Sequence, residues 1–174
     1  MILPEIRDSR FITIRRGGML TDEDHHLLAI WAAECAQHVL HYFEEIRPGD
    51  NRPRQAIELT HDWVNRKVTM KQARNSAGEA QDAAREVREI SSAARFAALS
   101  AGQAAAVAHV AAHELGAAAY AIRAVMAKCS EDEKETARHK ECLWQRQKLP
   151  QEIRELVLDD QRLRNDICWF VFDK

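Results

Sequence analysis

Residues 96–113 read FAALSAGQAAAVAHVAAH and contain no Asp, Glu, Lys or Arg. The length is close to that of a membrane span, but alanine contributes little transfer free energy and several polar residues interrupt the run. We therefore predict a helix buried in a protein core, where small side chains let other helices approach closely, and no association with a membrane. This helix is expected to begin after a turn at Ser91-Ser92 and to form the centre of the fold.

Sequence patterns on both sides of this stretch predict further helices. Apolar residues between Leu28 and Ile46 recur every three or four positions, which is the spacing of one helical face. Thr21, Thr69 and Ser130 each precede a helical pattern, and their side-chain oxygens are suited to accept hydrogen bonds from first-turn amides. We predict that all three are helix N-caps.

A short extended segment and an apolar tail lie outside the helical pattern. Residues 10–15 alternate polar and apolar side chains, and residues 167–172 are too apolar to remain in water. We expect the tail to pack into the domain or to form one short β pairing with residues 10–15. Apart from that pairing, residues 1–174 are predicted to form a single all-α domain, a compact multi-helix bundle around an Ala-rich central helix.

Composition excludes several classes of partner and location. Lysine and arginine total 25 against 27 aspartates and glutamates, so no broad basic surface for nucleic acid is expected. The N-terminal residues lack the pattern of a signal peptide, and the four cysteines form no Cys-x-x-Cys pair, which favours a cytoplasmic protein with reduced thiols. No P-loop, dinucleotide-binding glycine pattern or hydrolase elbow occurs, so we expect no cofactor.

His109 and His113 are candidates for chemistry. Four residues apart on a helix, their imidazoles face the same way and could share a metal ion. However, Val110 follows the first histidine where a zinc protease has glutamate, and neither His109 nor His113 has a glutamate three residues before it, as the Glu-x-x-His pairs of di-iron bundles require. We favour histidines that hydrogen-bond inside a helical bundle, without a metal.

Further polar groups allow either a binding or a structural interpretation. Arg52 and Arg54 flank Pro53 at a predicted helix start, where they could bind a carboxylate or phosphate or form internal salt bridges, which we favour. Polar side chains between residues 159 and 166 could cap the last helix or line a pocket. The candidate pocket residues are Glu34, His38, Arg52, Arg54, His109, His113, Asp159, Asp160, Arg164, Asn165 and Asp166.

Several stretches of the chain, read together, resemble a known family. They are residues 13–24 (TIRRGGMLTDED), 31–40 (WAAECAQHVL) with 52–57 (RPRQAI), 104–121 (AAAVAHVAAHELGAAAYA), and 158–161 (LDDQ) with 164–169 (RNDICW). This pattern is similar to the all-helical immunity proteins of bacterial polymorphic toxin systems. The resemblance implies a bacterial cytoplasmic protein that binds a cognate toxin and blocks it without catalysis.

Two other functions remain open at this point. A small helical-bundle enzyme or ligand-binding protein would use His109 and His113 in a polar pocket, bound to a metal or a ligand. An interaction scaffold would dimerise through an exposed apolar helix face. We expect either a monomer or a homodimer.

Overall fold

The computed structural model describes residues 3–172, and the regular structure there is helical. The α-helices are α1 (Asp22–Val39), α2 (His41–Glu44), α3 (Arg52–Val64), α4 (Met70–Glu86), α5 (Ser92–Ala106), α6 (Glu114–Met126), α7 (Glu131–Gln147) and α8 (Gln151–Leu163). Short 3-10 helices lie at Ser9–Phe11, Ile14–Arg16 and Ala111–His113. The all-α prediction is confirmed. Among these helices, none has the length and apolar content that a membrane crossing requires.

Local side-chain chemistry explains where three of the helices begin. The hydroxyl of Thr21 accepts a hydrogen bond of 3.0 Å from a first-turn amide of α1. Thr69 with Gln72 forms a capping box at α4, and Ser130 with Glu133 forms one at α7. These contacts satisfy backbone amides that the first turn of a helix leaves without an intrahelical partner. The predicted N-caps are confirmed.

Alanine methyl groups form the centre of the core. Because methyl groups are small, the backbones of α4 and α5 approach closely, and an added Cβ at Gly102 would lie 3.1 Å from the carbonyl oxygen of Ala77. The burial predicted for the Ala-rich stretch is confirmed. Its fully buried alanines include Ala97, Ala98, Ala101, Ala104 and Ala105, and those of α6 are Ala117, Ala118, Ala119, Ala121 and Ala124.

The Ala-rich stretch is nevertheless not one central helix, and that prediction is wrong. Helices α5 and α6 are separated by residues 107–113, where the backbone becomes extended before a single 3-10 turn. Two carbonyl groups in this break are hydrogen-bonded to side chains, where a continuous helix would bond them to backbone amides. His25 Nε2 lies 2.7 Å from the carbonyl oxygen of Val107, and Arg164 donates a hydrogen bond of 2.9 Å to that of Ala112. Groups from distant parts of the chain therefore stabilise the break.

The predicted β pairing between residues 10–15 and the tail is also wrong. Thr13 instead forms an isolated bridge with Leu20, within the N-terminal segment. The tail is fixed by Asn165, whose side chain donates to the carbonyl oxygen of Phe172 (3.0 Å) and accepts from its amide (3.1 Å). Phe172 is 2% exposed, so the tail packs into the fold as predicted, but through turns and not through a strand.

Candidate functional site

The two predicted histidines lie at the break between α5 and α6. The ring centroids of His109 and His113 are 5.3 Å apart. Nδ1 of His113 lies 2.8 Å from Oε1 of Gln103, which assigns the proton to that nitrogen as hydrogen-bond donor. Nδ1 of His109 is buried and has no hydrogen-bond partner among residues 3–172. Burial lowers the pKa of His113 to about 4 and also lowers the pKa of His109, so both rings are neutral at neutral pH.

The geometry around these histidines does not complete a metal site. Across residues 3–172, no group of three or more His, Cys, Asp or Glu side chains is arranged to hold a metal ion. His109 and His113 supply fewer donors than the three or four protein ligands of a zinc site. The alternative of a metal enzyme built on this pair therefore has no supporting observation in the described residues.

A buried ion cluster lies beside the same break. Arg164, at the end of α8, donates from Nε to Asp160 (2.7 Å), and its Nη2 lies 3.2 Å from Oε1 of Glu114. Their relative exposures are 5% for Arg164, 3% for Asp160 and 0% for Glu114. Buried charges are tolerated only when they are paired, so the cluster fastens α8 to the start of α6. Two predicted site residues, Asp160 and Arg164, thus come together, and Glu114 is the partner that sequence reasoning missed.

One cation faces two carboxyl groups in this cluster. Desolvation raises the pKa of Glu114 well above its usual value; Arg164 opposes this shift, and Asp160 adds to it. Because Arg164 binds Asp160 at the shorter distance, Glu114 is the acid that keeps its proton. A protonated Glu114 lets the three groups be buried without a net charge. We assign the cluster a structural role.

A cleft of about 540 Å³ borders residues 107–113. Its walls come from the N-terminal segment, from α1, from the end of α3 and from the break itself. The polar and aromatic side chains that line it are Arg7, Phe11, Thr13, Arg15, Arg16, His25, Trp63 and His109. Of these, only His109 was predicted as a site residue. Among the others, only Arg15 and Arg16 had a sequence signal, as an arginine pair directly before two glycines.

The electrostatics of this cleft are positive. Arg15 is paired with Asp22 at 2.9 Å, while Arg7 and Arg16 form no ion pair with another described residue. No acidic side chain lines the described part of the cleft. Burial lowers the pKa of His25, so the positive charge comes from the arginines and not from this ring. A concave surface with arginines and no carboxylate is suited to an anion.

Arg52 and Arg54 form internal salt bridges, which is the interpretation that the sequence favoured. Arg52 binds Asp50 at 2.6 Å and Glu86 at 2.8 Å, and Arg54 binds Glu44 at 2.6 Å. The guanidinium of Arg52 holds the pKa of Asp50 below its usual value. These contacts join the start of α3 to the turn before it, to α2 and to the end of α4.

His38 lies on α1 and contacts α7. Its Nδ1 is 3.0 Å from Oε2 of Glu141, and its ring stacks on Trp144 with centroids 3.7 Å apart. The neighbouring Cys35 is fully buried, and burial raises the pKa of its thiol well above the usual value. Glu34 lies one turn earlier on the same helix and is partly exposed.

The remaining predicted residues follow α8 or lie near its end. Asp159 bridges Arg10 and Arg162, each at 2.8 Å. Asn165 fastens the tail, and Asp166 is exposed. The predicted pocket residues therefore contact different parts of the fold, and a binding role for any of them stays a prediction.

Comparison with known protein families is informative for most of the helical chain. A model described as an Imm-5 like putative immunity protein matches residues 18–152, which contain α1 to α7 and the break at 107–113. The chain belongs to this Imm-5 like family. No curated protein and no solved structure matches the chain.

An immunity protein family suggests a toxin as the partner. The match includes His25, Trp63 and His109 of the cleft, but not Arg7, Arg15 or Arg16. It also ends before Asp160 and Arg164 of the buried cluster.

Proposed function

We propose that this protein is an immunity protein that binds a cognate bacterial toxin domain in the cytoplasm and neutralises it without catalysing a reaction. The family match over residues 18–152 carries this proposal. The contacts of the polar side chains support it: most of the predicted site residues bind other residues of the same chain, so they are not grouped around one pocket as catalytic residues would be. His113 is bonded to Gln103, and Arg52 and Arg54 are ion-paired.

A stoichiometric inhibitor requires a rigid surface that is formed before binding. The close packing of alanines in α5 and α6 and the buried cluster of Glu114, Asp160 and Arg164 supply such rigidity. Binding would bury on the order of 1,600 Å² in total, the usual size of a specific protein interface. The active unit is a monomer or a homodimer.

The decisive experiment begins with the gene beside the one that encodes this chain. An immunity protein is expected to lie next to a toxin, and the toxin domain is then purified as an inactive variant. Isothermal titration calorimetry should give one toxin domain bound per chain, and co-expression with the active toxin should protect growth. Activity of the toxin should fall in proportion to the protein added, up to an equimolar ratio.

Other outcomes would reject the proposal. Neighbouring genes that encode only metabolic enzymes would remove its genetic basis, and a purified toxin domain that shows no complex would contradict it directly. Inhibition by far less than an equimolar amount would indicate that the protein turns over the toxin as a substrate.

A further inference from the structure

Two aromatic side chains after α8 are held at the surface. Trp169 is 41% exposed and Phe170 is 66% exposed, whereas Cys168, Val171 and Phe172 around them are buried. Exposed apolar side chains that lie next to one another mark interaction surfaces more often than single ones do. The tail therefore anchors itself with one set of residues and presents another set.

The backbone that presents them is strained. Trp169 has φ 58° and Phe170 has φ 55°, both in the left-handed region that bulky residues rarely adopt. The turn is held by Asn165, whose carbonyl oxygen accepts a hydrogen bond of 2.7 Å from the amide of Phe170. Asn165 also bonds both backbone groups of Phe172. Strain that the surrounding structure maintains is a feature of functional surfaces.

Arg123 of α6 lies against Trp169 and Phe96 without an acid to balance its charge. Its Cζ is 4.1 Å from the ring centroid of Phe96 and 4.1 Å from that of Trp169, over the face of each ring. The side chain is partly buried, and burial lowers the pKa of Arg123. No hydrogen bond or ion pair joins it to another residue within 3–172. Stacking fixes the guanidinium plane and leaves its five donors available.

The groove beside Arg123 is suited to an anion. It encloses about 360 Å³, and no acidic side chain is among the described residues that line it. Ser92, the first residue of α5, lies in the groove, and the first turn of α5 contains no acid to offset the positive end of the helix. Lys134 also lines the groove and is paired with Glu131. Phe96 and Arg123 line this groove, and Arg123 also contacts the ring of Trp169. The groove therefore borders the exposed aromatic side chains of the tail.

We propose that the toxin domain binds to one surface of this protein, formed by Phe96, Tyr120, Arg123, Trp169 and Phe170. Arg123 forms a bidentate ion pair with a carboxylate of the toxin. This inference rests on the proposed function. Arginine, tryptophan and tyrosine are the residues that contribute most to binding at protein interfaces. A guanidinium group held in one plane can donate two parallel hydrogen bonds to a carboxylate. These five residues form the aromatic–arginine surface.

The test uses the inactive toxin domain encoded by the adjacent gene, titrated into the full chain. Phe170→Ala removes the most exposed ring, and Arg123→Lys keeps the charge but removes the planar fork. Each should weaken binding by about 10-fold or more, as expected for residues central to an interface. Thermal unfolding of each variant verifies that the fold is retained.

Matched controls lie outside the aromatic–arginine surface. Met19→Ala removes a side chain that is 67% exposed, close to the 66% exposure of Phe170. Arg16→Lys makes the same chemical change as Arg123→Lys, but in the basic cleft that borders residues 107–113. Both should leave the dissociation constant within about twofold of wild type. Raising the salt concentration should weaken wild-type binding, since a charged contact contributes to it.

The outcomes separate this inference from the proposed function. If the wild type does not bind the toxin domain, both fail. If the wild type binds and Phe170→Ala and Arg123→Lys bind equally well, the toxin uses another surface and only this inference fails; a loss confined to Arg16→Lys would move the contact to the basic cleft. Binding of a single-stranded oligonucleotide that these two variants abolish, with toxin binding intact, would assign the surface to nucleic acid instead.

Discussion

The guanidinium of Arg164 lies 3.2 Å from the carboxyl group of Glu114, although 50 residues separate them in the chain and both are buried. This contact, together with the hydrogen bond from Arg164 to the carbonyl oxygen of Ala112, places the end of α8 against the break between α5 and α6. The helix interruption and the buried ion cluster are thus one structural feature. Its stability depends on the charge balance among Arg164, Glu114 and Asp160.

Arg164→Met should destabilise the protein strongly. The substitution leaves two buried carboxyl groups without their cation and removes a donor from the carbonyl group of Ala112. Breaking a buried pair in this way costs about 3–5 kcal/mol. Urea denaturation followed by circular dichroism measures the change in the free energy of unfolding.

Arg162→Met is the matched control for that experiment. Arg162 also forms an ion pair, with Asp159 at 2.8 Å, but its side chain is 71% exposed. Exposed pairs contribute about 1 kcal/mol or less. If Arg164→Met costs no more than Arg162→Met, the buried cluster does not hold α8 in place.

Glu114→Gln should change how stability depends on pH. The pKa of Glu114 is raised in the folded protein, chiefly by desolvation, above the usual 4.5. Above pH 4.5 the unfolded chain therefore loses this proton before the folded chain does, and the free energy of unfolding falls as the pH rises towards the folded pKa. Glutamine mimics the protonated acid and has no proton to lose. The stability of the wild type relative to Glu114→Gln should fall from pH 4.5 upward, and a pH-independent difference would contradict the assignment.

The parts of the fold that depend on local chemistry could be predicted from the sequence. Thr21 and Thr69 mark helix starts because each side chain accepts a hydrogen bond from an amide within the first turn, and Ser130 marks one through its capping box with Glu133. The apolar spacing from Leu28 to Ile46 predicted helical structure there, which the structure divides into α1 and α2 at Leu40. The burial of the alanines follows from their density in a stretch without charge.

The break at residues 107–113 could not be predicted in the same way. Its carbonyl groups are bonded by His25 and Arg164, which lie 82 residues before Val107 and 52 residues after Ala112. An Ala-rich sequence has high helix propensity, and only tertiary contacts override it. For the same reason Glu114 could not be predicted as a partner of Arg164, since nothing near Glu114 in the sequence indicates a buried arginine.

Candidate contact residues were missed for a related reason. In the sequence, Arg123 is an ordinary arginine near the end of a helix, with no pattern that indicates a binding role. Its stacking on Phe96 and Trp169 exists only in the folded chain. The tail was correctly predicted to pack, but its apolar residues gave no sign that Trp169 and Phe170 would face solvent.

His113→Gln should make the protein less sensitive to acid. Burial, helped by the neighbouring His109 and Arg164, lowers the pKa of His113 to about 4 from 6.5. Between these values the unfolded chain binds a proton that the folded chain does not, so stability is lost as the pH falls from 6.5 to 4. The loss attributable to His113 is at most about 3.5 kcal/mol, at about 1.4 kcal/mol for each pH unit.

Thermal or urea denaturation at several pH values measures this loss for wild type and variant. His41→Gln, at an exposed position on α2, is the control. A smaller loss for His113→Gln than for His41→Gln is expected. Equal losses in the two variants would show that His113 does not contribute to acid sensitivity.

Substitutions at two glycines should shift stability in opposite directions if α4 and α5 pack as closely as described. Gly78 lies on the exposed side of α4 with no atom within 4 Å of an added Cβ, so Gly78→Ala should stabilise the protein by about 0.5–1 kcal/mol through helix propensity. At Gly102 an added Cβ already lies 3.1 Å from the carbonyl oxygen of Ala77, and the branches of Gly102→Val would force the helices apart, at a cost of about 1–3 kcal/mol. Urea denaturation of both variants measures the two changes. Gly102→Val without loss of stability would mean that α4 and α5 can separate freely, which the fully buried alanines between them argue against.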